Sequence, residues 1–342
     1  MTAKELFETI IKGDSDKVSQ KIEALKDVNK ENAIIGDAVE QLEIYLLNHM
    51  FKDDEEKHEL IRNIAFLCSL NPYYEFMSKK YYDIYVHMLI DMEISKLQVE
   101  EDYFFSFRSI NMYSIQEIIN NTISVSSPKT FNDPLDPPIT LAAKNKFKNI
   151  KTQKDEQFFL EALEKVRIRC FVPARDPKTK TKKKLKPYLN TLMWAHYANS
   201  HKGMCIKYKL SPSLIKRTDK TTGIFAAVEY PKGAFNINSH DIFEFNECFL
   251  TKQSEWKYEK EVRLIYFNAD NSDYFQPLKL DDDNRIEAIY FGYNCSETDK
   301  KTIKKLFTHD STIKFYQMEI DYSNIFRLKA IEETEKSEDN KG

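Results

Sequence analysis

Hydrophobic residues recur at helical spacing through the first hundred residues of the chain. Thr2 and Glu5 form a capping-box pattern at the start of the first helical segment, which ends near Gly13. Segments with the same spacing of apolar residues follow at 16–25, 33–51, 58–70 and 79–97. The pattern therefore predicts an all-helical N-terminal module over residues 1–98.

From residue 99 onward, short runs appear in which apolar and polar residues alternate, a pattern typical of strands. Strands are predicted at 102–110, 122–128, 166–172, 203–210, 224–230, 261–267, 286–292 and 311–320. Helical segments separate some of them, at 112–121, 141–166, 189–198, 245–250 and 297–307. We therefore expect an α+β protein in which residues 99–328 form a mixed α/β domain around a partly antiparallel sheet.

Two segments carry few residues that could enter a core. Residues 174–188 contain seven Lys or Arg side chains and are predicted to form a basic loop. This loop could be an arm that contacts phosphates or a solvated insertion, and the sequence leaves both open. Residues 329–342 are acidic and are predicted to be a disordered tail.

Composition narrows the classes of function. No apolar run reaches the length of a membrane span, and the start of the chain lacks the apolar core of a signal peptide. The five cysteines are scattered without a CxxC pair, which favours free thiols in the cytoplasm. A net charge of −3 argues against electrostatic binding of nucleic acid by the chain as a whole. With only seven glycines and no Gly-rich phosphate loop, Rossmann enzymes and P-loop NTPases are disfavoured.

The segment EWKYEKEVRLIYF concentrates charge on a predicted strand. Alternation puts Glu259, Glu261 and Arg263 on one face of it and the apolar residues on the other. A neighbouring carboxylate raises the pKa of a glutamate, and a neighbouring guanidinium lowers it. Catalytic sites use such opposed effects to set the pKa of their groups. The same pattern also fits a solvent-facing strand with a salt bridge to its neighbour.

Two further stretches contain candidate site residues. In SVSSPKTFNDPLDPP, Asn132 and Asp133 begin a turn, and Asp133 with Asp136 could hold a metal or simply shape that turn. In LMWAHYANSHKGMCIKY, His196 and His201 lie five residues apart, which does not match the spacing of helical metal ligands. No metal is predicted. These histidines could contact a ligand or fix the turn.

Six motifs in a fixed order connect these stretches: FNDPLD, CFV, LMWAHYANSHKGMCI, VEY, KQSEWKYEKEVRLI and IEAIYFGYN. Together, over about residues 103–320, they resemble the bacterial domain of unknown function 2971 family. The family usually has a serine where this chain has Val172. The resemblance implies a small intracellular bacterial protein, often associated with mobile elements or defence.

An architectural analogy adds a hypothesis about chemistry. ADP-ribosyltransferases use a basic residue on an early strand and an E-x-E motif on a late strand to bind NAD. Arg108 and Glu259-Lys260-Glu261 occur in that order here, whereas the Ser-Thr-Ser strand of that superfamily is not evident in the sequence.

The analogy implies an enzyme that acts on NAD or a related nucleotide and could serve as a toxin or phage-defence effector. In it, Glu261 would be the catalytic carboxylate and Glu259 its partner. The residues expected to bind the ligand are Arg108, Asn132, Asp133, Trp194, His196, Tyr197, His201 and Arg263. Two alternatives stay open. One is a non-catalytic sensor whose helical module binds a protein or nucleic-acid partner. The other is a metal-dependent nuclease that uses Asp133, Asp136 and the carboxylate pair.

Overall fold

The structure, a computed structural model, describes part of the chain. The described residues are 2–12, 28–69, 80–81, 84, 99, 102–138, 164–179, 183–216, 218, 220–232, 249–268, 270–271, 273–307, 312–324 and 326–333. The predicted helix at 16–25 lies outside them, as do most of the predicted helices at 79–97, 141–166 and 245–250.

Six α-helices occur in the described residues: α1 (Ala3–Ile11), α2 (Val28–Asn48), α3 (Asp54–Ser69), α4 (Met112–Ile119), α5 (Thr191–Tyr197) and α6 (Glu297–Lys305). The predicted capping box begins α1, since Thr2 Oγ1 accepts from the Glu5 amide at 3.2 Å and Glu5 Oε2 accepts from the Thr2 amide at 2.8 Å. The helical character of the N-terminal region is therefore seen for α1, α2 and α3. No helix of the described residues is long and apolar enough to cross a membrane.

Ten strands form one mixed sheet. They are β1 (Tyr103–Arg108), β2 (Thr122–Ser126), β3 (Val166–Pro173), β4 (Met204–Lys209), β5 (Thr221–Ala227), β6 (Val262–Asn268), β7 (Phe275–Lys279), β8 (Arg285–Phe291), β9 (Lys314–Ile320) and β10 (Leu328–Glu332). The main path runs β10-β9-β8-β4-β1-β3-β2-β7, and β6 joins β3 to β5. Only β8 and β9 pair in parallel among these strands. The predicted mixed α/β architecture is confirmed.

Two strands were not predicted. The short edge strand β7 carries Pro277, which weakens the strand pattern in the sequence. β10 pairs with β9 from Leu328 to Glu332, so the prediction of disorder is wrong for residues 329–332. Hydrogen bonds to an open edge of the sheet order this segment despite its charge. Residues 334–342 of the predicted tail lie outside the described part of the chain.

The two faces of β6 enter different cores. Ile265 and Phe267 pack in a cluster that also contains Leu6 of α1 and Leu42 of α2. The opposite face of β6, which carries Leu264, packs in a second cluster with residues of β1, β3 and β4. The N-terminal helices and the sheet therefore share one buried cluster.

The sheet splits beside β3. One edge of β3 pairs with β6 from Val166 to Phe171. The other edge pairs with β2 at Ile168 and with β1 at Val172 and Pro173. If both neighbours kept their register, Phe107 of β1 and Ser124 of β2 would both fall opposite Cys170. Two strands cannot occupy the same position along one edge, so β1 and β2 diverge and leave a gap between them.

Candidate functional site

A cavity of about 840 Å³ opens at this gap and is lined by residues of both diverging strands. Its volume lies in the range of about 300–1,000 Å³ that is usual for small-molecule sites. Charged side chains gather in two places in and beside it. We call them the guanidinium end (Arg108, Glu117, Arg169) and the carboxylate end (Asp136, Lys252, Glu259, Glu261, Arg263).

Two arginines share one carboxylate at the guanidinium end. Arg108, at the end of β1, donates from Nη1 to Glu117 Oε2 at 3.0 Å. Arg169 of β3 approaches Glu117 Oε1 at 3.5 Å from the other side, and the same oxygen accepts from the Ser124 amide at 3.2 Å. Burial alone would raise the pKa of Glu117, but Arg169 and Arg108 hold it below its usual value. This end carries one more positive than negative charge.

Arg169 is incompletely bonded. Its Nη2 donates to Ser106 Oγ at 3.2 Å, whereas its buried Nε has no hydrogen-bond partner among the described residues. Repulsion from Arg169 is the main cause of the lowered pKa of Arg108, and burial adds to it. The surplus positive charge and the unused donor are features that a bound anion would satisfy.

The carboxylate end is organised around the ammonium group of Lys252. Its Nζ lies 2.7 Å from Glu259 Oε2, 3.0 Å from Glu261 Oε2 and 3.2 Å from Asp136 Oδ2. These three carboxylates raise the pKa of Lys252 although burial opposes the change. Lys252 is therefore a permanent cation in the middle of the cluster.

Arg263 supplies the second cation and is completely buried. Its Nε donates to Glu261 Oε1 at 2.6 Å, its Nη2 to Asp136 Oδ1 at 2.5 Å and its Nη1 to the Phe249 carbonyl at 2.7 Å. Each guanidinium nitrogen thus has an acceptor, which is the condition for a stable buried charge.

The three carboxylates have different electrostatic environments. Burial and the neighbouring Glu261 raise the pKa of Glu259. Burial and Glu261 also raise the pKa of Asp136 against the pull of Arg263. Burial opposes ionisation of Glu261 too, but Arg263 and Lys252 together bring its pKa well below the usual range. Glu261 is therefore the fixed anion of the cluster, and Glu259 is a carboxylate that takes up a proton more readily.

A turn, not strand alternation, brings Glu259 and Glu261 together. Glu259 ends a 3-10 helix (Ser254–Glu259), and Lys260 is left-handed with φ of 48°. The strand predicted at 261–267 begins at Val262 in the structure. This left-handed residue reverses the chain so that both carboxylates contact Lys252.

Two tyrosines bond to Glu259 and Glu261, one to a carboxylate and one to the backbone. Tyr197, at the end of α5, donates its hydroxyl proton to Glu259 Oε1 at 2.5 Å, and the tyrosine lines the cavity. The Tyr230 hydroxyl accepts from the Glu261 amide at 2.9 Å. Burial and the bond to Glu259 raise the pKa of Tyr197, so it stays a donor.

The stretch LMWAHYANSHKGMCIKY forms α5, a turn and β4. Trp194 is fully buried, and its Nε1 donates to the Tyr188 carbonyl at 2.8 Å. His201 stacks on this indole with centroids 6.3 Å apart, and burial lowers its pKa. A Cβ on Gly203 would lie 2.2 Å from the Arg108 carbonyl oxygen, so the turn packs directly against the end of β1. The stretch therefore positions Arg108 as well as Tyr197.

Some of the other sequence-predicted residues border the cavity, and some do not. His196 is exposed, its ring contacts those of Tyr197, Trp256 and Tyr258, and it does not line the cavity. Asn132 and Asp133 border the cavity, and Asp133 Oδ1 accepts from the Leu135 amide at 2.8 Å in a local turn. The cavity lining thus includes Arg108, Tyr197 and both glutamates but neither His196 nor His201.

The described residues of the predicted basic loop, 174–179 and 183–188, form several contacts. Arg175 and Lys184 form an isolated bridge, Lys178 pairs with Glu229 at 2.8 Å, and Lys260 pairs with Asp176 at 2.7 Å. None of its described residues lines the cavity. Its positive charges are therefore not part of the guanidinium end.

The structure adds residues that were not singled out from the sequence. They are Glu117, Ser124, Ser126, Arg169 and Lys252, all of which line the cavity. The alternation of small hydroxyl residues in TISVS is a sequence signal for β2, and Thr122, Ser124 and Ser126 line the cavity. Nothing in the local sequence around Lys252 marks it as the centre of three carboxylates.

The carboxylates bear on the nuclease alternative. The Lys252 ammonium contacts all three of them, and Arg263 occupies further oxygens of Glu261 and Asp136. In the part of the chain that the structure describes, no group of three or more His, Cys, Asp or Glu side chains could hold a metal ion. The oxygens that a cation would need are thus bonded to protein donors.

The comparisons with known proteins concern the carboxylate end. A family model described as "Protein of unknown function (DUF2971)" matches residues 193–264. The predicted resemblance to this family is confirmed over residues 193–264. The DUF2971 match contains the larger part of α5, with Tyr197, and four of the five charged residues of the carboxylate end. Asp136 and the guanidinium end lie outside it. Neither the search of curated proteins nor that of solved structures returns a match.

Proposed function

We propose that the protein is an enzyme that binds NAD or a related nucleotide in this cavity and transfers its ADP-ribosyl group. The observation that carries the proposal is the two-ended charge of one cavity, with surplus guanidinium at one end and a carboxylate pair at the other. A nucleotide has a corresponding polarity, because its phosphates are anionic and its glycosidic carbon becomes cationic when the base leaves.

The guanidinium end suits the phosphates. Arg108 and Arg169 offer planar donors to an anion, and Glu117 alone does not neutralise both. Guanidinium groups bind phosphate oxygens in a bidentate manner, and such charge-assisted bonds are about twice as strong as neutral ones. The Nε of Arg169 is a buried donor without a partner among the described residues, so a ligand bound there could satisfy it.

The carboxylate end suits the reacting ribose. Cleavage of a glycosidic bond passes through an oxocarbenium-like transition state, which a fixed carboxylate stabilises. Glu261 fits this role because Arg263 and Lys252 keep it ionised. Glu259 fits the role of base because its raised pKa brings it closer to neutrality.

These roles give a balanced reaction. The bond between the ribose C1′ and the nicotinamide nitrogen breaks, and neutral nicotinamide leaves with the electron pair. An acceptor hydroxyl, from water or another molecule, bonds to C1′ and gives its proton to Glu259. Tyr197 holds the Glu259 carboxylate in position during the transfer.

A binding protein without turnover is the second candidate. The five charged groups of the carboxylate end are paired with one another, which also suits a site built to recognise a ligand and report it. Nucleotide binding with no release of nicotinamide under any condition would favour this sensor. An active enzyme would in contrast deplete NAD, as expected of a toxin or phage-defence effector.

The test is nicotinamide release from NAD by the purified full chain. We expect time-dependent release that falls at least a hundredfold in Glu261→Gln and in Glu259→Gln, a size typical for loss of a catalytic acid–base or charge-stabilising group. The matched control is Glu255→Gln, since Glu255 is exposed on the same 3-10 helix. Its rate should equal that of the wild type.

The binding arm of the experiment separates the two candidates. NAD affinity should be kept in Glu259→Gln even when turnover is lost. If the wild type neither binds NAD or ADP-ribose nor releases nicotinamide, the proposed function is wrong. Release that is unchanged in both glutamine variants would contradict the assignment of the carboxylates.

A further inference from the structure

Exposed aromatic side chains flank the mouth of the cavity. Tyr113 of α4 is 78% exposed and Phe275 of β7 is 60% exposed, yet both belong to the cavity lining. Exposed large aromatics also occur elsewhere, as at the neighbouring Tyr274, but Tyr274 does not line the cavity. Leaving two aromatic rings in water at the rim of a site has a cost that a stacked ligand would remove.

The local geometry gathers these rings with polar amides. Tyr113, Gln116 and Asn120 are three and four residues apart, so they lie along one face of α4 and its C-terminal turn, and all three line the cavity. Phe275 and Pro277 share one face of β7, opposite Ser126 and Ser124 of β2. A helix face and a strand face, each with an aromatic ring, therefore border the mouth.

The mouth is on the guanidinium side of the cavity. α4 carries Tyr113 at its start and Glu117, the partner of Arg108 and Arg169, one turn later. A ligand whose phosphate bonded the guanidinium end would have its next group within reach of this helix face. For a nucleotide, that group is the nucleoside.

We propose that Tyr113 and Phe275 form a stacking platform for the adenine base of a nucleotide whose phosphate occupies the guanidinium end. The inference rests on the proposed function and extends it by naming the base. Aromatic side chains stack on bases because each base has a π-face. Gln116 Nε2 donates to Asn120 Oδ1 at 3.4 Å, so Gln116 Oε1 and the Asn120 amide nitrogen supply an acceptor and a donor, the combination that pairs with the edge of adenine.

The experiment compares AMP with ribose 5-phosphate by titration calorimetry on the full chain. Both probes carry the phosphate and the ribose, so their difference measures the base. We expect AMP to bind at least fivefold more tightly. Tyr113→Ala and Phe275→Ala should each weaken the binding of AMP about five- to a hundredfold, as the loss of one base–aromatic stack does. The affinity for ribose 5-phosphate should stay unchanged.

Matched variants isolate the ring. Tyr113→Phe and Phe275→Tyr keep an aromatic face and should bind AMP as the wild type does. Tyr274→Ala removes an equally exposed aromatic next to Phe275 but outside the cavity, and it should also leave AMP binding unchanged.

The outcomes distinguish this proposal from the proposed function. Equal affinities for AMP and ribose 5-phosphate, or a parallel loss of both in Tyr113→Ala, would overturn the platform even if NAD is consumed. A Tyr113-dependent preference for AMP would support the platform even if nicotinamide is never released. UMP binding as tightly as AMP would overturn the choice of adenine.

Discussion

The two ends of the cavity differ in how completely their charges are bonded. At the carboxylate end, Lys252 contacts all three carboxylates and Arg263 contacts two of them, all within 3.2 Å, and the side chains are at most 7% exposed. At the guanidinium end, Arg108 and Arg169 share Glu117, are 22% and 12% exposed, and leave one buried donor without a partner. The bonding of the carboxylate end fixes its geometry, whereas the surplus positive charge of the guanidinium end suits an anionic ligand.

The largest expected effect is a loss of stability at the carboxylate end. Arg263→Met should lower the free energy of unfolding by about 3–5 kcal/mol, because Glu261 and Asp136 would stay buried with Lys252 but without the second cation that they share. Urea denaturation measures this loss. Arg285→Met, which removes an exposed pair with Glu287, should cost at most about 1 kcal/mol. Equal losses in the two variants would mean that burial does not distinguish these pairs.

A smaller effect is expected at the tyrosine that connects α5 with the cluster. Tyr197→Phe keeps the ring and removes the hydroxyl that bonds Glu259, so it should cost about 1.5–3 kcal/mol in free energy of unfolding. Tyr322→Phe is the control because Tyr322 is 78% exposed. Denaturation curves that coincide for Tyr197→Phe and the control would show that the Tyr197 hydroxyl does not contribute to stability.

The guanidinium end should respond in affinity more than in stability. Arg169→Met removes repulsion against Arg108 and leaves Glu117 paired with Arg108, so stability should change by less than about 1 kcal/mol. Binding of inorganic pyrophosphate should weaken roughly tenfold or more, as the loss of a charge-assisted hydrogen bond predicts. A large loss of stability with unchanged pyrophosphate binding would reverse the contrast between the ends.

The smallest effect is a pH dependence. The folded pKa of Glu259 is raised, so the stability that its protonation contributes is complete below its unfolded pKa of about 4.3 and is lost as pH rises through the folded pKa. Relative to Glu259→Gln, the wild type should therefore become less stable as pH rises above about 4.3. Glu261 has the opposite sign, with a contribution that is lost in acid. Denaturation at several pH values measures the difference, and a rise with pH would contradict it.

The sequence predicted most of the strands because alternation of apolar residues directly follows from two-sided burial of a sheet. It also selected Glu259, Glu261 and Arg263, although for a different geometry, since Lys260 adopts a left-handed conformation that the strand pattern did not predict. The charged residues that converge from distant segments were not predictable as a group. Lys252 and Asp136 meet across more than a hundred residues, and only the fold brings them together.

Arg169 illustrates the same difficulty. In VRIRCFV, Arg167 and Arg169 occupy equivalent positions of an alternating pattern. Arg167 donates to the carbonyls of Asp273, Glu164 and Val166, whereas Arg169 lines the cavity with a free donor. Their difference arises from what lies across the edge of β3, which no property of the segment itself specifies.

The origin of the cavity has a consequence for how such a site evolves. The gap exists because β1 and β2 compete for the same edge of β3, so backbone topology creates it and side chains only line it. Substitutions of exposed lining residues can then exchange one ligand for another without disturbing the sheet, whereas lining residues such as Phe105 and Phe171 also belong to its cores. In a chain with this strand order, the backbone creates the cavity, and the side chains that line it determine which ligand binds.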